Sequence, residues 1–390
     1  MHSRLCLCLR SRLLRCAWCA LCLLLFAGCG RAAGGTPTVS PWETLTPHGQ
    51  VAIPTPALTP PPGWSAILPG IQLTTTSTHG GLAASAARPG RVIGCAMRTP
   101  LNQPATPPTF VLSDDSGKTW QTRAIPDLPP AHGCFVFADT LQQDTFVMLP
   151  DTQGGPLFFT LDAGVTWKAL SLPPLTFPIG LTGGQLVAIA DRSNRSRGSL
   201  MQVALSAGSW RSIAQALPPS GWDPYAAAVD VDNPAIIYLS GVSGATTAVY
   251  RTVNGGASWQ VVKTLPAAHR IALFAARQHQ VFAEQLDGFD SDHPLFNSAD
   301  GGATWRGIAM HRKEGGESLW VSPQGRLITA IYVDAQTDTL YTLDPARGAF
   351  TTLGEYRVGQ GPTVAVVVEG PAPALLYATP DHIWRLPLST

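Results

Sequence analysis

Apolar and polar positions between residues 225 and 262 form four short runs separated by turn-forming residues. Runs of this length, with Gly, Pro and Asn between them, favour β-strands over helices. The predicted strands span residues 225–231, 235–239, 248–252 and 258–262. The same order recurs over residues 270–276, 280–285, 293–297 and 304–310. Four antiparallel strands per repeat are typical of one blade of a β-propeller.

An eight-residue motif with the pattern Ser/Thr-x-Asp/Asn-x-Gly-x-Thr/Ser-Trp lies before the fourth strand. It occurs four times, over residues 113–120, 160–167, 252–259 and 298–305. Two weaker copies fill the gaps: residues 206–210 form a shorter one, and residues 342–350 a longer one that ends in Phe. Successive aromatic residues are therefore 47, 43, 49, 46 and 45 positions apart. Such a regular period predicts a repeat fold.

The chemistry of the motif predicts a stabilised turn. The Asp or Asn oxygen can accept backbone N–H bonds, Gly can adopt a positive φ, and the hydroxyl residues add local hydrogen bonds. The Trp then leaves the turn and packs on the sheet. We call the four segments the tryptophan turns and expect structural roles for Ser113, Asp115, Gly117, Thr119, Trp120, Thr160, Asp162, Gly164, Thr166, Trp167, Thr252, Asn254, Gly256, Ser258, Trp259, Ser298, Asp300, Gly302, Thr304 and Trp305.

This motif resembles the Asp-box, also called the bacterial neuraminidase repeat. The Asp-box occurs in sialidases, in sortilin-type receptors and in propellers that are photosystem II assembly factors. The resemblance implies an all-β propeller.

The two ends of the chain set the number of blades. Residues 363–369, 374–378 and 382–386 match the first three strands of a repeat, and residues 63–69 look like an isolated fourth strand. Together they complete a blade that both ends of the chain share. Six internal blades and this one predict seven blades over residues 63–390, with about 47 residues each. A closed ring removes the exposed sheet edges that promote aggregation.

The first 28 residues have the features of an export signal. Four Arg precede an apolar run from residue 17 to residue 27, which is followed by small residues and Cys29. Phe26-Ala27-Gly28-Cys29 resembles the lipobox of bacterial lipoproteins, which implies that lipid is attached to Cys29. The alternative is an ordinary cleavable signal. Residues 29–62, rich in Pro, Thr and Gly, are expected to be a spacer. We therefore expect a membrane-anchored protein that faces the periplasm or the cell exterior.

The cysteines and the net charge limit the cross-links and the functional classes that the sequence allows. Five Cys lie in the signal and Cys29 is the lipid site, so Cys95 and Cys134 remain. They form either a disulfide, which an oxidising compartment permits, or two buried free thiols. Beyond the signal, 22 basic and 25 acidic residues leave a slightly negative balance, which excludes a strongly basic nucleic-acid binder. No Cys or His spacing indicates a zinc site, and we expect neither a metal nor a cofactor.

Three connections are candidates for a binding surface. Residues 99–108 are Pro-rich, residues 192–197 are basic, and residues 287–292 are acidic. In a propeller they would share one face, opposite the tryptophan turns, where we expect an unidentified protein or glycan to bind. The alternative is that they are ordinary solvated loops.

The resemblance to sialidases raises an enzymatic alternative. Those enzymes hold the substrate carboxylate with three Arg and use a Tyr with a Glu partner as nucleophile, with an Asp as acid/base. Here Arg270 is the one Arg near a predicted inner strand, and Tyr225 and Glu284 are isolated candidates. We assign no catalytic residue. The sequence therefore favours a monomeric, non-catalytic binding or scaffold module, and the alternative is a divergent sialidase-like hydrolase or lyase.

Overall fold

A computed structural model describes most of the chain beyond residue 64. It covers residues 65–67, 81–96, 105–131, 133–152, 155–174, 176–190, 199–214, 223–243, 246–265, 271–285, 294–309, 317–334, 337–344, 349–357, 364–378 and 383–388. The predicted signal and spacer lie outside these residues, so both remain predictions.

The described residues form 28 strands in seven four-stranded antiparallel sheets. The chain starts with β1 (Ser65–Ile67). Blades 1 to 3 contain β2 (Leu82–Ala84), β3 (Val92–Ala96), β4 (Thr109–Ser113), β5 (Gln121–Arg123), β6 (Cys134–Ala138), β7 (Phe146–Pro150), β8 (Leu157–Thr160), β9 (Lys168–Leu170), β10 (Phe177–Thr182), β11 (Gln185–Ala190), β12 (Ser199–Ala204) and β13 (Trp210–Ala214).

Blades 4 to 7 follow in the same order. They contain β14 (Asp223–Val229), β15 (Ile237–Ser243), β16 (Thr246–Thr252), β17 (Gln260–Leu265), β18 (Ile271–Ala275), β19 (Val281–Gln285), β20 (Pro294–Ser298), β21 (Arg306–Ala309), β22 (Glu317–Val321), β23 (Leu327–Asp334), β24 (Thr337–Asp344), β25 (Ala349–Arg357), β26 (Val364–Val368), β27 (Ala374–Ala378) and β28 (Ile383–Pro387). The prediction of a propeller with seven four-stranded blades is confirmed.

Within a blade, the second strand is the most buried and the outer strand the most exposed. The first strand of each blade contacts the first strand of the next, in the blade order 6, 7, 1, 2, 3, 4, 5. These first strands form the inner wall of the ring. The second strands, such as β7 and β19, have every side chain buried because sheets cover both of their faces. The outer strands β5 and β17 are largely exposed. Apolar runs therefore mark the second strands, and polar residues mark the rim.

Apolar side chains pack between successive blades and form the core. Ile93 and Phe110 of blade 1 meet Phe146 and Met148 of blade 2 in one cluster. Burying a side chain of this size contributes about 2 kcal/mol. Similar clusters join blades 2 and 3, 3 and 4, 4 and 5, 5 and 6, and 7 and 1, so these neighbouring blades stabilise one another.

All four predicted strands of blade 4 differ from the structure by two or more residues at one or both ends. The second strand of blade 4 was expected from residue 235 and begins at Ile237. The reason is a capped turn, in which the Asp230 carboxylate accepts the N–H groups of Asp232 and Asn233 at 2.9 and 3.0 Å. These bonds hold the residues before Ile237 in the turn, so the strand begins later than predicted.

Blade 7 meets blade 1 and completes the ring. Gly90 donates its N–H to the carbonyl of Glu369 at 2.6 Å, and Arg385 Nε donates to the Ser116 carbonyl at 2.8 Å. The β1 strand is the fourth strand of blade 7, with Ala66 opposite Trp384. Trp64 lies outside the described residues, and the claim that the N-terminal strand locks the ring remains a prediction.

Candidate functional site

The antiparallel order of the blades gives the ring two different faces. Connections from first to second strand and from third to fourth strand lie on one face, which we call the turn face. Connections from second to third strand, and from each blade to the next, lie on the other, which we call the loop face. Most of the three candidate loops lies outside the described residues, which include only positions 105–108 of them.

The tryptophan turns have a common hydrogen-bond pattern. In all four, the hydroxyl of the first residue accepts the N–H of the Gly four positions later, at 2.7 to 2.9 Å. The Asp or Asn oxygen accepts the N–H of the later Thr or Ser at 2.8 to 2.9 Å. Gly164 and Gly302 have φ values of +85° and +92°, which explains the need for Gly at this position.

Hydrogen bonds from the Thr side chain and backbone also affect the acidity of these turns. The bonds from Thr166 lower the pKa of Asp162 to about 2, and those from Thr304 do the same for Asp300. Each carboxylate is exposed, so its charge is solvated while its oxygens hold the turn.

Each tryptophan ring packs against the preceding blade. Trp167 of blade 2 lies edge-on to Phe110 of blade 1, with ring centroids 4.9 Å apart. Trp305 of blade 5 donates its Nε1–H to the carbonyl of Val262 in blade 4 at 2.9 Å and to Gly302 at 3.0 Å. The turns therefore join blades, which is a structural role.

Buried and half-buried arginines add further links between blades on the turn face. Arg91, with only 3% of its side chain exposed, binds Asp114 of its own blade through Nε at 2.5 Å and Asp144 of blade 2 through Nη1. Arg326 of blade 6 binds Glu369 of blade 7 at 3.2 Å. The turn face is thus fixed by bonds that cross from blade to blade.

The inner wall of the ring is almost free of charge. Its seven strands carry only two charged residues, Asp223 and Glu317, each the first of its strand. No Arg is present among these strand residues. The inner wall is composed of Ala, Val, Leu, Ile and Phe for the most part, and the rings of Phe135 and Phe177 pack edge to face at 5.8 Å.

The residues considered for an enzymatic site are dispersed. Tyr225 is on β14 in blade 4, at a bulge in its pairing with β15. Glu284 is buried on β19, the second strand of blade 5, opposite Ala272 of β18. Arg270 lies outside the described residues. In the described part of the chain, no three His, Cys, Asp or Glu side chains are grouped to hold a metal ion.

Cys95 and Cys134 are paired across two blades. Cys95 is on the second strand of blade 1 and Cys134 on the inner strand of blade 2, and their side chains form a disulfide with Cα atoms 6.2 Å apart. Both residues are buried beside Phe110. This pairing is one of the two alternatives from the sequence, and the bridge in the exported protein stays a prediction.

The sequence analysis did not identify two buried carboxylates on the turn face. Asp139 directly follows the inner strand of blade 2, and its oxygens accept the N–H groups of Gly183 and Gly184 in blade 3 at 2.9 and 2.6 Å. Asp230 has the same position in blade 4. An Asp directly after an apolar inner strand is the signal that could have indicated both.

In the part of the chain that the structure describes, no helix is long and apolar enough to cross a membrane. Comparison of the sequence with protein-family models gives no match, and comparison with curated proteins gives none either.

Solved structures with the same fold are found despite low sequence identity. YCF48 from Cyanidioschyzon merolae aligns with a TM-score of 0.52 and 12% identity, over 83% of this chain and 98% of that chain. YCF48 bound to D1 peptide aligns with a TM-score of 0.50 and 12% identity, over 84% and 97% of the two chains. A prolyl endopeptidase aligns with a TM-score of 0.51 and 11% identity, over 79% of this chain but only 46% of its own. The chain is similar to these proteins in fold.

Proposed function

We propose that this chain is a lipid-anchored, extracytoplasmic propeller that binds a protein or glycan partner through its loop face and catalyses no reaction. The tryptophan turns, which resemble Asp-boxes, would serve to hold the blades together. The single observation that carries the proposal is the contrast between a turn face crossed by inter-blade bonds and an inner wall with almost no charge.

The composition of the inner wall supports binding over glycoside hydrolysis. A sialidase-like site needs several Arg to pair with a carboxylate in bidentate geometry. The seven inner strands have none, and Asp223 and Glu317 are on strands of different blades. A rigid ring with a small-residue, apolar channel is suited to recognition, although fold alone names no ligand.

One structural neighbour supports a binding role. YCF48 has been solved with a bound D1 peptide, which is an example of a propeller of this size that binds a polypeptide segment. For this chain, the neighbour supports a protein partner as the first candidate.

The disulfide supports export. A bridge between Cys95 and Cys134 persists in oxidising compartments and is rare in the reducing cytosol. It therefore agrees with the proposed signal and with acylation at Cys29. Two or three acyl chains would hold the protein firmly at the membrane, since each buried methylene contributes about 0.8 kcal/mol.

Site-specific photocrosslinking in the native envelope tests the proposal. A crosslinking residue is placed at Pro107 or Asp151, which are exposed on the loop face of blades 1 and 2, or at Lys118 or Val165, which are exposed on the turn face of the same blades. We expect one discrete adduct from the loop-face positions and none from the turn face. Adducts from the turn face alone would contradict the proposed binding face.

An activity assay tests the enzymatic alternative. The purified domain is incubated with sialosides and with acidic oligosaccharides, and the products are separated by chromatography. Turnover that a substitution at Glu284 abolishes without unfolding the protein would replace the binding proposal with the hydrolase or lyase alternative.

A further inference from the structure

The turns at the ends of the inner strands meet near the axis of the ring. Arg277 lies in the hairpin between β18 and β19 of blade 5. Its Nη2 donates to the carbonyl of Ala86 in blade 1 at 3.0 Å and approaches the carbonyl of Thr140 in blade 2 at 3.4 Å. These partners are 191 and 137 positions away in the sequence.

Contacts of this kind must cross the centre of the ring. In a ring of seven, blades 1 and 2 are the two blades farthest from blade 5. Thr140 also reaches past its neighbouring blade 3, because its hydroxyl donates to the carbonyl of Val231 in blade 4 at 2.5 Å. Arg277 and Thr140 therefore lie over the axial opening on the turn face.

The neighbouring blades hold Arg277 in this position. Its Nη1 binds Asp232 of blade 4 at 2.7 Å, and its backbone N–H binds the carbonyl of Pro323 in blade 6 at 2.7 Å. The next two residues, Gln278 and His279, have φ values of +60° and +57°. Such conformations are costly for residues other than Gly and persist where surrounding contacts impose them.

Two further hydrogen bonds impose this hairpin geometry. Gln278 donates its N–H to the second carboxylate oxygen of Asp232 at 2.9 Å, and the His279 ring is 3.0 Å from the fully buried Asp230 carboxylate. The corresponding hairpin in blade 3 has Gly183 and Gly184 at its two positive-φ positions. In blade 5 the two positive-φ positions are occupied by Gln278 and His279 instead of Gly.

We infer that Arg277 and Thr140 close the axial channel at the turn face, so that the inner wall is reached from the loop face alone. A chain end or a side chain of the partner can therefore enter the channel, but a polypeptide cannot thread through the ring. This statement about the partner rests on the proposed function. Arg277 is a positioning residue here, because it shapes the channel and touches no ligand.

Cysteine labelling tests the closure without any ligand, so its result is independent of the proposed function. Single Cys residues are placed on the inner strand β18 at Ala275, its last residue, and at Ala272, near its loop-face end; both are half-buried. Labelling rates with a small cationic methanethiosulfonate are measured by peptide mass spectrometry, with and without Arg277→Ala. Arg326→Ala is the matched control, because it removes a turn-face ion pair that does not cross the axis.

We expect Arg277→Ala to raise the labelling rate at residue 275 by about tenfold, as for the loss of a local protecting contact, and to leave residue 272 within about twofold. Arg326→Ala should leave both rates unchanged. Equal rates at residue 275 with and without Arg277 would overturn the closure. A parallel increase at both positions would also overturn it, because that result indicates a loosened blade and not an opened channel.

Discussion

Thr166 donates its backbone N–H to Oδ1 of Asp162 at 2.8 Å and its hydroxyl to Oδ2 at 2.6 Å. These two bonds are stronger to the ionised carboxylate than to the neutral acid, so they lower its pKa to about 2. A carboxyl with a lowered pKa in the folded state stabilises the fold at pH values above its unfolded pKa of about 3.9. That contribution is lost as the pH falls from about 4 to about 2.

We predict that Asp162→Asn reduces the acid sensitivity of the domain. Asn254 occupies the same position in blade 4, and its Oδ1 accepts the Ser258 N–H at 2.9 Å, so an amide can hold this turn. The Tm of the Asp162→Asn variant should therefore fall less between pH 6 and pH 2.5 than that of the unchanged chain. Asp162→Ala, which loses the bonds altogether, should have a lower Tm at pH 6. Identical pH dependence of Tm for the unchanged chain and the Asp162→Asn variant would contradict the role of this carboxylate.

The disulfide is expected to form in the exported protein and to stabilise it. Peptide mapping without reduction should yield a linked pair containing Cys95 and Cys134. Replacing both by Ala should lower the free energy of unfolding by about 4 kcal/mol, as for a bridge that closes a loop of this length. If both thiols of the exported protein are alkylated after unfolding without a reductant, the bridge is absent in the cell.

Membrane anchoring is expected to depend on Cys29 alone. Cys29→Ala should move the protein from the membrane fraction to the soluble fraction and abolish incorporation of labelled fatty acid. Cys22→Ala is the matched control, since this residue lies in the apolar part of the predicted signal and should leave the anchoring unchanged. A Cys29→Ala protein that still sediments with membranes would contradict the lipoprotein proposal.

The architecture was predictable because its signals are local and repeated. The spacing of Trp120, Trp167, Trp259 and Trp305 defined the blades, and the turn chemistry around each Trp located the third and fourth strands. The boundaries of individual strands were less accurate where a capped turn, such as the one at Asp230, extends into the expected strand.

The contacts at the ring axis were not predictable from the same signals. Arg277 is close to Ala86 only because the ring closes, and no periodicity in the sequence connects two residues that far apart. The sequence Arg277-Gln278-His279 also lacks the Gly that would indicate its turn. Sequence patterns therefore predicted the blades, while the contacts across the axis required the closed structure.

The division of the molecule into a turn face and a loop face depends on a closed ring, and deletion of the N-terminal strand tests this most directly. Thermal unfolding is measured for a chain that lacks residues 63–69 and for a matched chain that lacks residues 40–46 of the spacer. We predict that the first deletion lowers the Tm by at least about 5 °C, because a blade loses its outer strand, and that the second leaves it unchanged. An unchanged Tm after the first deletion would contradict the shared blade and the closure of the ring by its N-terminal strand.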